Sequence, residues 1–181
     1  DVPEFSHIPL LHGTDGAKLS KRHGALSVGA YKDMGYLPVA MRNYLLRLGW
    51  SHGDDEIISN EQAIEWFTLD SLGRSAARFD IDKLNYLNGH YIRQLDDQEL
   101  SQEIVNILKT TKSIIVDETA QQRLLAAMPE FKQRAKTLVE LADNCVFLVS
   151  SRPLPLTEKA QAQLSEEVPA LLAELGRKLE T

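Results

Sequence analysis

Apolar residues recur three and four positions apart along most of this chain. Pro38 suits a first helical position, and Met41, Tyr44, Leu45 and Leu48 repeat at helical spacing until Gly49 stops the run. Ser59, with Gln62 three residues on, forms a capping box for a helix through Ile64 and Phe67. Asp80 caps another, with Ile81, Leu84, Leu87 and Tyr91 along one side. From Asp96 the pattern is helical almost throughout. Leu100, Ile104, Ile107 and Leu108 make one apolar face, Ala120, Leu124 and Met128 a second, and Phe131, Ala135, Leu138 and Ala142 a third. Two prolines make 152–156 a stiff linker, and two short helices follow, the last over roughly 166–179. The first quarter is different. Phe5 to Leu11 reads as a short strand with nothing upstream to pair with, and a glycine-punctuated loop follows from Gly13 to Gly24. Ser27 then caps a short helix ended by Gly35. The pattern predicts a mainly α protein with a boundary near 93–96.

Composition narrows the classes. The 181 residues suffice for one large domain or two small ones, and no apolar run approaches the ~18 residues of a membrane span. The first residues, Asp1-Val-Pro-Glu-Phe5, show neither a basic leader nor a signal-peptide core, so a cytoplasmic, non-membrane location is expected. A single cysteine, Cys145, excludes an internal disulfide or a cysteine-based zinc cluster, and its apolar neighbours suit a small buried residue. Lys and Arg total 20 against 26 Asp and Glu, a net charge of −6, and neither half is basic. A protein gripping nucleic acid mainly through phosphates shows a basic face. Any such contact here has to rest on local clusters.

One cluster stands out. Lys18-Leu-Ser-Lys-Arg22 places three cations within five residues, with His23 adjacent and glycines at 13, 16 and 24 around it. An arbitrary match of this kind is usually a solvated basic loop. The glycines, however, leave the cluster free to close over something, and Ser20 adds a neutral donor beside the charges. That combination suits polyphosphate.

Lys18-Leu-Ser-Lys-Arg22 resembles the KMSKS signature of class I aminoacyl-tRNA synthetases, with Leu for Met and Arg for the last Ser. The wider run 15–25 is similar to the glutamyl branch in particular. The same branch resembles this chain at Tyr31 to Pro38, Asn43 to Ser51, Ala77 to Asp80 and Lys83 to Arg93, and more diffusely at Gln133 to Glu140. The resemblance covers nearly the whole chain, in family order.

It implies a three-part organisation. Residues 1–26 would be the tail of a catalytic domain carrying the KMSKS-type loop, 27–95 a small α+β stem-contact region, and 96–181 the first part of an all-helical anticodon-binding bundle. The implied activity is that of a glutamate–tRNA ligase, in which glutamate attacks the α-phosphorus of ATP and is then passed to tRNA(Glu). Lys21 would be the catalytic cation, meeting charge on the departing pyrophosphate. Lys18 and Ser20 would position the loop and contact phosphate, within the motif Lys18, Leu19, Ser20, Lys21 and Arg22. ATP is expected as substrate, with Mg2+ accompanying it, and the parent enzyme is expected to be a monomer. The HIGH signature and the glutamate pocket lie upstream in the family and have no match here. The stretch is therefore expected to be inactive alone, with ATP and glutamate held through the missing fold. The alternative is a non-catalytic tRNA-binding module that retained this region.

Other residues carry blander readings. Arg42 and Arg47 suit tRNA phosphates or a solvated helix face, and Arg134 and Lys136 an anticodon stem or solvent. Tyr44, Trp50 and Trp66 fit core packing better than base stacking. His7, His12, His52 and His90 lack ligand spacing, and Asp54-Asp-Glu56 reads as a polar turn, so no metal site is assigned. Arg74 and Arg78 are expected to make loop contacts, with Asp80 as a cap. No tRNA-contacting residue is singled out.

Overall fold

The structure is a computed structural model and describes residues 2–3, 5–20, 27–154, 156–164 and 168–179. Two compact units emerge, Asp1–Val149 and Ser150–Thr181. In the first, strand β1 (Leu11–His12) precedes helices α1 (Val28–Asp33), α2 (Pro38–Gly49) and α3 (Asn60–Trp66). A 3-10 turn (Leu69–Ser71) and strand β2 (Ala77–Arg78) lead into α4 (Ile81–Gln94), α5 (Asp97–Lys112), α6 (Glu118–Phe131) and α7 (Leu138–Val149). The second unit holds α8 (Glu158–Gln163) and α9 (Val168–Leu179). No helix of the described residues is long and apolar enough to cross a membrane.

Local chemistry explains the helix starts. Pro38 opens α2, where its missing N–H costs nothing. Ser59 and Gln62 exchange side-chain and backbone bonds at the start of α3, a complete capping box. Asp80 accepts from the N–H groups of Asp82 and Lys83, and Asp96 does the same for Gln98 and Glu99. Ser27 sits at the head of α1 without a side-chain cap bond. Helix α1 ends with Tyr36 N–H on the Tyr31 carbonyl and Gly35 N–H on that of Lys32, the bond pair that closes a helix through a left-handed residue. Gly35 supplies it, at φ +86°.

Two cores fill the first unit. Tyr31, Tyr36, Met41, Tyr44, Leu84 and Leu87 pack one between α1, α2 and the first half of α4, with Phe79 against it. Ile92, from the far end of α4, joins Leu100, Ile104, Leu108, Leu124, Met128, Leu141 and Cys145 in the other, inside the α5–α7 bundle. Burial pushes the Cys145 thiol up to about 11, which keeps it neutral and unreactive.

Two further expectations from the sequence fail in the pattern of strands and helices. Phe5 to Leu10 is not strand; its apolar side chains, Phe5 at 81% exposed among them, lie on the surface. Only Leu11 and His12 pair, and they do so with the downstream β2, in parallel. The third apolar face is also not one helix. Pro129 lies in the last turn of α6, and Phe131 is that helix's final residue. Across the break, the Lys136 carbonyl accepts from Asn88 and the Leu138 N–H donates to the Gly35 carbonyl. Backbone groups that a continuous helix would have satisfied internally are thus captured by Asn88 and Gly35.

Candidate functional site

The basic segment emerges from a closed hairpin. Gly13 N–H donates to the Ala17 carbonyl at 2.9 Å, and Gly16 N–H to the Gly13 carbonyl at 3.1 Å. Residues 14–16 form the three-residue tip, in which Gly16 takes the left-handed position at φ +77° that such a loop requires. Asp15 folds back to accept from Ala17 N–H at 3.0 Å. His12 and Lys18 then face each other as an antiparallel bridge, and Leu19 N–H donates to the Leu11 carbonyl at 2.8 Å. The first glycines therefore close a turn rather than loosening the segment.

The base of this hairpin is tied to the aromatic core. Leu11 pairs with Ala77 and His12 with Arg78, and Phe79 N–H donates to the His12 carbonyl at 2.8 Å. Phe79 packs edge-on against Tyr44, with ring centres 5.2 Å apart. The Tyr44 hydroxyl accepts from Asp80 N–H at 2.6 Å, immediately before Asp80 caps α4. Burial pushes the Tyr44 phenol up to about 12, so it stays neutral. A continuous path of hydrogen bonds and ring contacts thus runs from Lys18 to the start of α4.

Lys18 is exposed, and Leu19 and Ser20 are half-buried beside it. Lys21 and Arg22, with His23, lie outside the described residues. Arg42 donates from Nε to Asn60 at 3.1 Å, and Arg47 donates to the Asp55 carbonyl, so both brace the connection after α2. Tyr44 and Trp50 are core residues, as their spacing predicts, whereas the half-buried Trp66 stacks on His52 at 4.2 Å. Glu56 pairs with Lys83 at 2.9 Å, and that lysine's side chain holds the glutamate below the usual carboxylate range. Among the described residues no three His, Cys, Asp or Glu side chains gather as a metal would need.

Sequence reasoning missed Asn88. It is fully buried, accepts from Leu37 N–H at 2.8 Å, and donates to the carbonyls of Lys136 at 2.7 Å and Gly35 at 3.3 Å. It joins the two cores. The available signal was an amide on the buried face of α4, between Leu84, Leu87 and Ile92. Beside Asn88, the exposed face of α4 borders a groove lined by Asp82, Tyr86, Arg93, Arg134 and Lys136.

The chain matches known families in two blocks. Residues 1–86 match the family described as tRNA synthetases class I (E and Q), catalytic domain, and residues 87–181 match the anticodon binding domain family. The chain belongs to the class I tRNA synthetases of the glutamate and glutamine group, as a stretch that runs from catalytic domain into anticodon-binding domain. Within that class its relatives are glutamate–tRNA ligases. It is 57% identical over 180 residues to Glutamate--tRNA ligase 2 of Parvibaculum lavamentivorans, covering 99% of this chain and 37% of the relative. To the protein of the same name from Rhodospirillum centenum it is 61% identical over 173 residues, covering 96% and 37%. Among solved structures, a glutamate tRNA ligase of Elizabethkingia meningosepticum, crystallised in complex with its amino acid, superposes with a TM-score of 0.80 at 27% identity. That match covers 100% of this chain and 39% of the other. The chain thus spans well under half the length of the relatives it matches.

Proposed function

We propose that the protein to which this stretch belongs is a glutamate–tRNA ligase, activating glutamate with ATP and transferring it to tRNA(Glu). The observation that carries the reading is the anchored hairpin. It holds Lys18, Leu19 and Ser20, the first half of the motif, on a base fixed to the same helix that runs into the anticodon-binding half.

In this reading residues 1–26 close the catalytic domain, 27–95 meet the tRNA stem, and 96–181 meet the anticodon end. Activation builds negative charge on the leaving pyrophosphate. A cation that meets this charge in the transition state more strongly than in the ground state lowers the barrier. Lys21 has that role, and Lys18 and Ser20 contact the phosphates. ATP arrives with Mg2+ held mainly by its own phosphates, so no protein cage for the ion is required. The enzyme acts as a cytoplasmic monomer.

The test is Lys21→Ala in the full-length protein, assayed by glutamate-dependent ATP–pyrophosphate exchange. Loss of one such electrostatic contact costs about 2.7–4 kcal/mol, a roughly hundred- to thousandfold fall in turnover. Unchanged exchange removes the role of Lys21. The 181-residue stretch alone is expected to give no exchange, because nothing in its sequence matches the HIGH signature or the family's glutamate-binding residues.

A further inference from the structure

We propose that Asp15 is a positioning residue for the basic motif. Its carboxylate, fastened to the Ala17 N–H, sets the direction in which Lys18, Leu19 and Ser20 leave the hairpin tip. The inference rests on the ligase reading and adds a residue outside the motif to the machinery that presents it.

The tip is the end of the hairpin farthest from its anchor. Leu11 and His12 are fixed at the base by Ala77 and Arg78, whereas residues 14–16 depend on bonds made within the turn. The ring closed by Gly13 N–H engages the Ala17 carbonyl and leaves the Ala17 N–H to find another acceptor. Asp15 supplies it at 3.0 Å, from a side chain two residues upstream. Ala17 is thus held at both backbone groups, one residue before the motif begins. From there Lys18 bridges His12, and Leu19 N–H reaches the Leu11 carbonyl at 2.8 Å. Any rotation of the backbone at Ala17 would carry the following residues with it.

Gly13 supplies an independent sign. Gly16, at φ +77°, is required by its backbone, but Gly13 is not in the left-handed region. Space requires it instead. A Cβ on Gly13 would stand 2.9 Å from Asp15 Oδ1 and 3.8 Å from Asp15 Cγ, and the next atom is the Ala17 carbonyl oxygen at 4.0 Å. The side chain missing at position 13 makes room for the Asp15 carboxylate.

Asp15 is the only acid in the sequence between Phe5 and Lys32, a run that contains Lys18, Lys21 and Arg22. A counter-charge would be turned towards those cations. Among the described residues, however, Asp15 makes no ion pair, and its carboxylate lies back over Gly13 onto a backbone amide. Its work is therefore that of a hydrogen-bond acceptor, which an asparagine carbonyl can replace.

The test is glutamate-dependent ATP–pyrophosphate exchange by the full-length protein, with kcat and the KM for ATP read separately. A motif that meets charge mainly in the transition state loses kcat when misdirected, while KM stays near native. Asp15→Ala is expected to lower kcat about ten- to a hundredfold. Asp15→Asn should restore it, and Gly13→Ala should reproduce the loss by displacing the carboxylate. Added to Asp15→Ala, Gly13→Ala should cost nothing more, because no carboxylate remains to displace. Native kcat in Asp15→Ala overturns the proposal. So does an Asp15→Asn variant as slow as Asp15→Ala, which would make charge the working part. Far-ultraviolet dichroism of the same samples should stay native, and a loss of kcat that merely follows a loss of folded protein also overturns it. Lys21→Ala, assayed in parallel, keeps the two readings apart. Unchanged exchange there removes the lysine role on which this proposal rests, whereas a fall there beside native turnover in Asp15→Ala removes only the positioning role.

Discussion

The two cores of the first unit are built from different materials. The one between α1, α2 and α4 is largely tyrosine, and its hydroxyls reach outward: Tyr36 to Asn85, Tyr44 to Asp80. The one inside the α5–α7 bundle contains no aromatic residue among its buried members, with Phe131 packed only at its margin. An aliphatic core can only hold helices together. A tyrosine core can also hold irregular backbone, because a ring fills volume while its hydroxyl is free to accept from a backbone amide, as Tyr44 does from Asp80. That is why the basic hairpin is tied to the first core and not to the second.

The largest effect is expected where the two cores meet. A Cβ on Gly35 would lie 2.6 Å from the Val139 nitrogen and 2.8 Å from that of Leu138, at a φ of +86°. Left-handed strain costs about 1–3 kcal/mol and overpacking another 1–3, so Gly35→Ala should lose roughly 2–6 kcal/mol. Denaturation followed by near-ultraviolet dichroism, which reports the tyrosine core, should separate from the far-ultraviolet signal of the helices. Coincident transitions in the variant would show that the cores do not depend on this joint.

Next comes the bundle itself. Leu124 is completely buried, and Leu124→Ala should cost about 2–5 kcal/mol in urea denaturation. A cost below ~1 kcal/mol would mean that the bundle collapses around the hole, contrary to a tightly packed aliphatic interior.

The smaller effect sharpens the contrast by pH. Tyr44→Phe leaves the Asp80 N–H without its acceptor, a loss of about 1–3 kcal/mol. The Tyr44 phenol has its folded pKa raised from 10.0 to about 12, chiefly by burial. Its contribution is therefore complete below pH 10.0 and disappears as pH climbs through about 12. In the bundle, the Cys145 thiol is raised from 9.0 to about 11, so its contribution begins to fall near pH 9.0. Stability measured across this range should lose its later limb in Tyr44→Phe and its earlier limb in Cys145→Ala. Identical alkaline profiles in both variants would sink the assignment.

The same difference in material governs how much could be read from the sequence. The bundle was legible because Leu100, Ile104 and Leu108, or Ala120, Leu124 and Met128, repeat at the helical period. The caps at Ser59 and Asp80 were legible because side chain and backbone partner lie within three residues. The basic motif was legible through its resemblance. What holds it was not, since β1 finds its partner at Ala77 and Arg78, and no local pattern announces a two-residue parallel ladder. The break after Phe131 escaped for a related reason. Phe131, Ala135, Leu138 and Ala142 keep helical spacing, but Asn88 and Gly35, distant in sequence, take the backbone of the turn.

The ladder between Leu11 and Ala77 also sets an order of events on the ribosome. Leu11 is synthesised long before the strand that fixes it, together with the Phe79 and Asp80 that lock that strand onto Tyr44. At roughly 5–20 residues per second, several seconds pass between the two. During that interval the nascent hairpin has no anchor, so the basic segment gains its footing only after α2 has been made and the start of α4 has followed.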